Sequence, residues 1–321
     1  MNFLFLDTLE IISKNFNVPL NFLECIQNDC ESKKTATQSK ENANTVIINF
    51  SMYYELIKIP KRNKKRRGDY REVIEIKSPY NNFYKELLHI IELTIENDKS
   101  KFLNDLTHGF IKDRGILSNA EQHLNKQYIL KIDIKNFFNS ITKSSIEKIF
   151  LKLGCNSNGA KLFSDLCSFN GVLQEGFNTS PILANLYCYN LDNDLKILAD
   201  SYGVTVTRYS DDITFSADKD NFPKIDELQN ILEKYDLKLN NKKTMFHKYG
   251  QSQYVTGLSI SNPDYPRVPR MMKRNIRQQL YYLNKFPHNY FNIENNYKKL
   301  RAIYGHIVYI LGIEKELGKK I

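Results

Sequence analysis

The sequence predicts an α+β fold with a partly antiparallel sheet, and three observations carry that expectation. A short apolar, β-prone segment runs from Tyr128 to Asp133. Two β-branched or aromatic runs, Val204 to Arg208 and Ile213 to Ser216, flank Ser210-Asp211 as the arms of a hairpin. Amphipathic runs of helical period alternate with them, so that the order reads strand, helix, helix, hairpin, helix, with no internal repeat.

Taken from the N-terminus, Glu31 to Thr45 is polar, rich in Lys, Asn, Ser and Thr, and is expected to be a surface linker. Lys58 to Arg71 holds the densest basic run, Lys58, Lys61, Arg62, Lys64, Lys65, Arg66, Arg67 and Arg71, with Gly68-Asp69 as a turn between two extended pieces. From Tyr84 to Asn97, Leu87, Leu88, Ile91 and Ile95 recur at helical spacing. Ser144 to Leu153 is helical and stops at Gly154. Pro181 opens a run in which Leu183, Leu186, Tyr187, Leu191, Leu195 and Leu198 share one face before Gly203, and Ile225 to Tyr235 is helical again. Past Val255, Arg270, Lys273, Arg274 and Arg277 line one side of a helix whose other side carries Ile276, Leu280 and Leu283.

At 321 residues the chain is long enough for one large domain or several intimate subdomains. Its 46 Lys and Arg against 36 Asp and Glu leave a formal charge of +10, which favours a polyanionic partner. No apolar stretch approaches the ~20 residues of a membrane span, and Asp7, Glu10 and Lys14 interrupt the segment where a signal peptide is apolar, so a cytoplasmic protein without a membrane partner is expected. Cys25, Cys30, Cys155, Cys167 and Cys188 form no CxxC pair, and their odd number argues against a disulfide framework or a zinc knuckle.

The chemistry-bearing residues are acidic. Asp133 ends one predicted strand and Asp211-Asp212 stand at the bend of a hairpin, so neighbouring strands of one sheet can gather three carboxylates. Nucleotidyl transfer needs such a gathering: two divalent ions ~3.5 to 4 Å apart stabilise the attacking and leaving oxygens, and hard Mg²⁺ prefers carboxylate ligands. An Asp-Asp pair alone is a common turn feature. Its neighbours give it meaning. Asp133-Ile134-Lys135-Asn136-Phe137-Phe138-Asn139-Ser140-Ile141, Gly176-Phe177-Asn178-Thr179-Ser180-Pro181, Tyr209-Ser210-Asp211-Asp212 and Val255-Thr256-Gly257-Leu258 follow in the order of a reverse-transcriptase palm.

The closest resemblance is to bacterial retron reverse transcriptases, through His108-Gly109-Phe110, Arg114, Ile116, Asn119-Ala120 and His123 as well as the Val-Thr-Gly-Leu block, and it runs from about Ile59 to the C-terminus. It implies a right-hand polymerase with fingers, a palm of antiparallel sheet plus packed helices, and a helical thumb. On that pattern residues 1–45 are an N-terminal helical segment and linker and 46–125 the fingers. The palm is 126–250 with an insertion around 142–175, and 251–321 hold the primer grip, beginning at Val255 to Leu258, and the thumb.

Carried over residue by residue, the resemblance implies that Asp133, Asp211 and Asp212 are catalytic and bind two Mg²⁺ ions, with the Ile134 carbonyl as a further ligand. Phe138 matches the gate that excludes a ribose 2′-hydroxyl, with a plain core Phe as the other reading; Lys61 and Arg71 match residues that clamp the triphosphate, with a solvated charge run as the other. Lys242 and Lys243 share the position of a lysine that protonates pyrophosphate, and the choice between them stays open. Arg270, Lys273, Arg274 and Arg277 suit a thumb helix tracking a phosphate backbone. The pattern departs at Leu173-Gln174-Glu175-Gly176, where relatives have Leu-Pro-Gln-Gly. Glu175 thus takes the place of a nucleotide-contacting Gln: Gln174 substitutes for it, or Glu175 turns away, or activity falls. Asn178 and Ser210 replace a Pro and an Ala.

What the resemblance implies is an RNA-directed DNA polymerase that uses deoxynucleotide triphosphates to copy a structured non-coding RNA into a short, branched, RNA-linked cDNA. Antiphage defence with a separately encoded effector protein follows by family analogy alone. The alternatives are another defence-type or group II intron-like reverse transcriptase, or a non-catalytic RNA-binding scaffold.

Overall fold

The computed structural model describes residues 3–29, 38–42, 45–49, 53–60, 70–286 and 294–314. The chain folds as two compact units, each assembled from three stretches: Met1–Thr107, Ile134–Leu195 and Ile225–Asn240 in the first, and His108–Asp133, Lys196–Lys224 and Asn241–Ile321 in the second.

The first unit combines a four-stranded antiparallel sheet, in chain order Gln38–Asn42, Thr45–Asn49, Tyr54–Pro60 and Tyr70–Ile76, with a set of helices. The helix Asn81–Asn97 buries Phe83, Tyr84, Leu87, Ile91 and Ile95, the i, i+4 stripe that its sequence predicts. Ring centroids 5.0 Å apart join Phe83 to Phe16 and to Tyr84, and the Tyr84 hydroxyl donates to the Leu166 carbonyl at 2.7 Å. Thr142 and Asn156 cap the helices Lys143–Lys152 and Ser157–Leu166 by accepting from Ser145 and Gly159 backbone N–H groups.

Two expectations are corrected here. Part of the expected linker between Glu31 and Thr45 is sheet, because Gln38–Asn42 pairs with Thr45–Asn49 through the backbone, and an edge strand needs no apolar alternation for that. The extended pieces on either side of the basic run pair, with Pro60 opposite Tyr70, while Lys61 to Asp69, and with them the expected Gly68-Asp69 turn, lie outside the described residues. The run opened by Pro181 is two helices, Ser180–Tyr187 and Tyr189–Tyr202, because the backbone tightens at Cys188, whose N–H bonds both Ala184 and Leu186 carbonyls. Among the described residues Cys25, Cys155, Cys167 and Cys188 form no disulfide, and burial pushes the Cys155 thiol up to about 12.

The second unit is built on a wholly antiparallel sheet in the order Met245–His247, Tyr128–Asp133, Asp212–Ala217, Thr205–Tyr209. Register sorts its side chains into two faces. Leu130, Ile132, Ile213, Phe215 and Val206 share one, and all are buried. The other carries Asp133, Asp212 and Tyr209 in one cross-strand row, then Lys131, Thr214 and Thr207 in the next. His123, fully buried, bonds Ser216 Oγ through Nδ1 and Thr207 Oγ1 through Nε2, each at 2.7 Å, and so ties the segment before the first strand to this polar face.

A separate apolar cluster of Ala120, Ile129, Val255, Leu258, Ile260, Val268, Ile276 and Ile310 joins the helices Ile116–Glu121, Arg270–Lys285 and Glu294–Ile313. Val255 and Leu258 close a tight hairpin whose two central residues, Thr256 and Gly257, both have positive φ (47° and 82°), the backbone of a type I′ turn. Among the described residues no helix is long and apolar enough to cross a membrane.

Burial lowers the His123 imidazole to about 3, with His108, Lys131 and Lys126 adding to the effect. The unfolded imidazole takes its proton near 6.5, so stability from the neutral form is complete above that pH and is lost as pH falls from 6.5 towards 3. Lowering the pH from 7 to 5 should therefore cost about 2 kcal/mol of unfolding free energy through this residue, at ~1.4 kcal/mol per unit. Urea unfolding at both pH values checks it: His123→Gln should lose that increment, and an unchanged pH slope would refute the assignment.

Candidate active site

In the second unit the predicted acidic residues come together at one end of the sheet. Tyr209 pairs with Asp212 across a two-residue bend, Ser210-Asp211, in which Ser210 alone has positive φ (59°), the pattern of a type II′ turn that usually takes glycine there. Asp212 in turn lies opposite Asp133 on the neighbouring strand, and directly opposed residues of such a ladder have Cα atoms ~4.5 to 5.5 Å apart. Bend and register together are the reason three carboxylates from distant parts of the sequence share one neighbourhood.

Their electrostatics register the crowding. Burial, and after it the charges of Asp212 and Asp133, pushes the Asp211 carboxyl up to about 6, against a smaller opposing pull from its own backbone N–H and Lys243. Asp212 is raised as well, mainly by burial, with Lys131 pulling it down and Asp133 pushing it up. Lys243 Nζ donates to Asp133 Oδ1 at 2.6 Å. Burial works against its charge, yet the Asp133 bond and the fields of Asp211 and Asp212 hold its pKa above the ordinary lysine value. Of Lys242 and Lys243, it is Lys243 that makes contact with Asp133. Among the described residues no three His, Cys, Asp or Glu converge as a ready metal cage. Donor type and uncompensated negative charge nevertheless fit hard divalent cations, with Asp133 engaged by Lys243.

The residues ahead of the first strand support this end of the sheet. The His108 N–H donates to the Arg208 carbonyl at 2.9 Å, His108 Nδ1 lies 2.9 Å from Ser118 Oγ, and the Phe110 and Tyr209 rings are 6.0 Å apart. The Thr256 hydroxyl donates to the Ile116 carbonyl at 2.9 Å, which anchors the Val255 to Leu258 turn. One expected phosphate-tracking residue is reassigned. Lys273 Nζ sits 2.9 Å from Glu314 Oε1, whose side chain is 0% exposed and also accepts from the Val268 N–H, so Lys273 serves the interior of its own unit. Arg270, Arg274 and Arg277 are exposed on that helix, as a polyanion-facing stripe requires.

The remaining predicted residues belong to the first unit. Ile134 is buried and bridges Leu239. In the short helix Phe137–Ser140, Phe137 is the buried ring and Phe138 the partly exposed one. Arg71 Nε meets Glu175 Oε2 at 3.2 Å, and the Glu175 carbonyl accepts from the Ile74 N–H at 2.9 Å. Glu175 is thus engaged with a cation. Gln174 is buried, with its amide 3.5 Å from the Glu72 carbonyl. Gly176, at φ 113°, passes so close to the Ile74 carbonyl that a Cβ has no room. Lys61 lies outside the described residues. Sequence reasoning missed Arg208, His123's bonds and the Lys273–Glu314 pair; none has a spacing signal, because each depends on partners far away in sequence.

The family model for reverse transcriptase (RNA-dependent DNA polymerase) matches residues 59–260, more than half of the chain. The chain is 34% identical over 177 residues to the retron Ec86 reverse transcriptase of Escherichia coli, covering 54% of this chain and 55% of that protein. It is 32% identical over 208 residues to the retron Mx162 reverse transcriptase of Myxococcus xanthus, covering 54% and 43%. To the retron Ec48 reverse transcriptase of Escherichia coli it is 27% identical over 292 residues, covering 88% and 69%. The match thus spans about half the length of the first two relatives.

Carboxyl ¹³C titration tests the Lys243 assignment. Lys243→Met should raise Asp211 above its value of about 6, because one of the charges that lowers it is gone. Lys242→Met should leave it in place. Equal responses of the two variants would contradict the geometry.

Proposed function

The chain belongs to the reverse transcriptase (RNA-dependent DNA polymerase) family, and from that premise we propose that it is a retron-type RNA-directed DNA polymerase that copies a structured partner non-coding RNA into a short, branched, RNA-linked cDNA. The observation that carries the reading is the register of Asp133 against Asp212 with Asp211 at the adjoining bend. Asp133, Asp211 and Asp212, with the Ile134 carbonyl, are the residues to hold two Mg²⁺ ions. When bound, such ions supply stabilisation of the attacking and leaving oxygens of an in-line phosphoryl displacement.

The chain's own groups do the rest. Lys243, held protonated beside the acids, is the proton donor to the departing pyrophosphate. Phe138, half-exposed next to the core ring of Phe137, is the gate against a 2′-hydroxyl, and Arg71 and Lys61 are the cations for the deoxynucleotide triphosphate. Arg270, Arg274 and Arg277 face the backbone of template and product. A separately encoded effector, a role in antiphage defence and a cytoplasmic location complete the proposal. The rival reading of an RNA-binding scaffold draws on one observation, that Glu175 already occupies Arg71. Such a half-exposed pair contributes only ~0.2 to 1 kcal/mol, which a triphosphate readily overcomes.

Extension on an RNA template with Mg²⁺ and deoxynucleotides should proceed with the purified chain and fall at least ~1000-fold in Asp211→Asn/Asp212→Asn, the equivalent of about 4 kcal/mol of transition-state stabilisation. Sequencing of the co-purifying nucleic acid should find a short branched cDNA. Extension that survives the double substitution would sink the mechanism, and random cellular RNA in place of cDNA would sink the retron-type assignment.

A further inference from the structure

Arg208 is the largest fully buried side chain among the described residues, at 0% exposure. On its strand it alternates with Thr207 and Tyr209, so it points to the face opposite Asp212 and Asp133. That face is apolar, and the register row in which Arg208 stands is completed by Ile213 and Ile132. A guanidinium is costly there unless its donors are used, and an aliphatic side chain is the expected occupant.

The use it finds lies at the acidic bend. Arg208 Nη1 donates to the Ser210 carbonyl at 3.1 Å. Ser210 holds φ 59°, a left-handed conformation that a residue with a side chain adopts only when its surroundings impose it. The opposite flank is closed by Gly109, where a Cβ would stand 2.8 Å from the Ser210 nitrogen and 3.3 Å from the Tyr209 carbonyl carbon. The His108 N–H holds the Arg208 carbonyl in the same place at 2.9 Å. Ser210 is therefore held at both of its peptides: a buried cation takes the carbonyl of the Ser210–Asp211 peptide, and a residue without a side chain lies against the nitrogen of the Tyr209–Ser210 peptide.

We propose that Arg208 is a positioning residue: by holding the Ser210 carbonyl while Gly109 lies against the Ser210 nitrogen it imposes the left-handed bend that turns Asp211 and Asp212 towards Asp133, and divalent-cation binding depends on it. The inference rests on the polymerase reading for the identity of the cation site, and on the hydrogen bond, the register and the Gly109 contact for the role of Arg208. In this role Arg208 acts through the backbone of Ser210.

The test separates positioning from packing, because Arg208→Met removes the donor while leaving a shape and polarity that suit the apolar row. Mn²⁺ affinity, read from the EPR signal of the free ion with Asp211→Asn/Asp212→Asn as the zero, should nevertheless fall at least ~10-fold. In extension assays kcat should fall by a similar factor with the deoxynucleotide KM changed less than ~3-fold, and Arg208→Lys, which keeps a donor, should recover part of both losses. Gly109→Ala leaves Arg208 intact and presses on the adjoining Tyr209–Ser210 peptide of the same bend, so it should lose Mn²⁺ affinity as well and carries the test where Arg208→Met does not fold. Wild-type Mn²⁺ affinity in either folded variant would overturn the proposal, as would a loss in Arg208→Met that Arg208→Lys does not reduce. A wild-type chain that binds Mn²⁺ and extends no primer counts against the polymerase reading alone, while the comparison of affinities still decides the role of Arg208.

Discussion

The antiparallel register between Tyr128–Asp133 and Asp212–Ala217 is the constraint on which the site depends. Side chains alternate along a strand, so a slip of one residue would send Asp133 to the apolar face with Leu130's neighbours and leave Asp212 without its opposite number. The buried set on that apolar face, Leu130, Ile132, Ile213 and Phe215, resists the slip because every member would move to the polar side together. His123 adds a second lock from the other face: its two ring nitrogens reach Ser216 and Thr207 on adjacent strands, a pairing that only one register permits.

Such a register works against electrostatics, since it gathers like charges in a half-buried place. The cost is visible in the raised Asp211 and Asp212 carboxyls and is partly offset by Lys243 on Asp133. A bare sheet of this sequence therefore holds a concentration of negative charge that a cation relieves. The strain of Ser210 at positive φ belongs to the same economy: local backbone cost persists where surroundings over-determine it, and here they include Arg208, Gly109 and His108.

Much of this was legible in the residues. The Tyr128 to Asp133 strand, the hairpin around Ser210-Asp211 and the helix over Leu87, Ile91 and Ile95 follow from periodicity and turn chemistry, which are local signals, and the three acids stand out through the ordered blocks around them. What could not be read depends on pairing at a distance. Gln38–Asn42 reads as a polar linker because an edge strand takes its stability from backbone bonds that leave no trace in side-chain pattern. Lys273 reads as one more surface cation until Glu314, far down the chain, is found beneath it. The choice between Lys242 and Lys243 is a matter of which side of a turn faces Asp133, and Glu175 reads as a repulsive charge until Arg71 appears beside it.

Anomalous diffraction from crystals of the chain soaked in Mn²⁺ tests the central claim most directly. The account predicts a peak bonded to carboxylate oxygens of Asp133 and of Asp211 or Asp212, with Lys243 displaced from Asp133. A peak elsewhere, or none at Mn²⁺ concentrations that saturate the protein in solution, would contradict it.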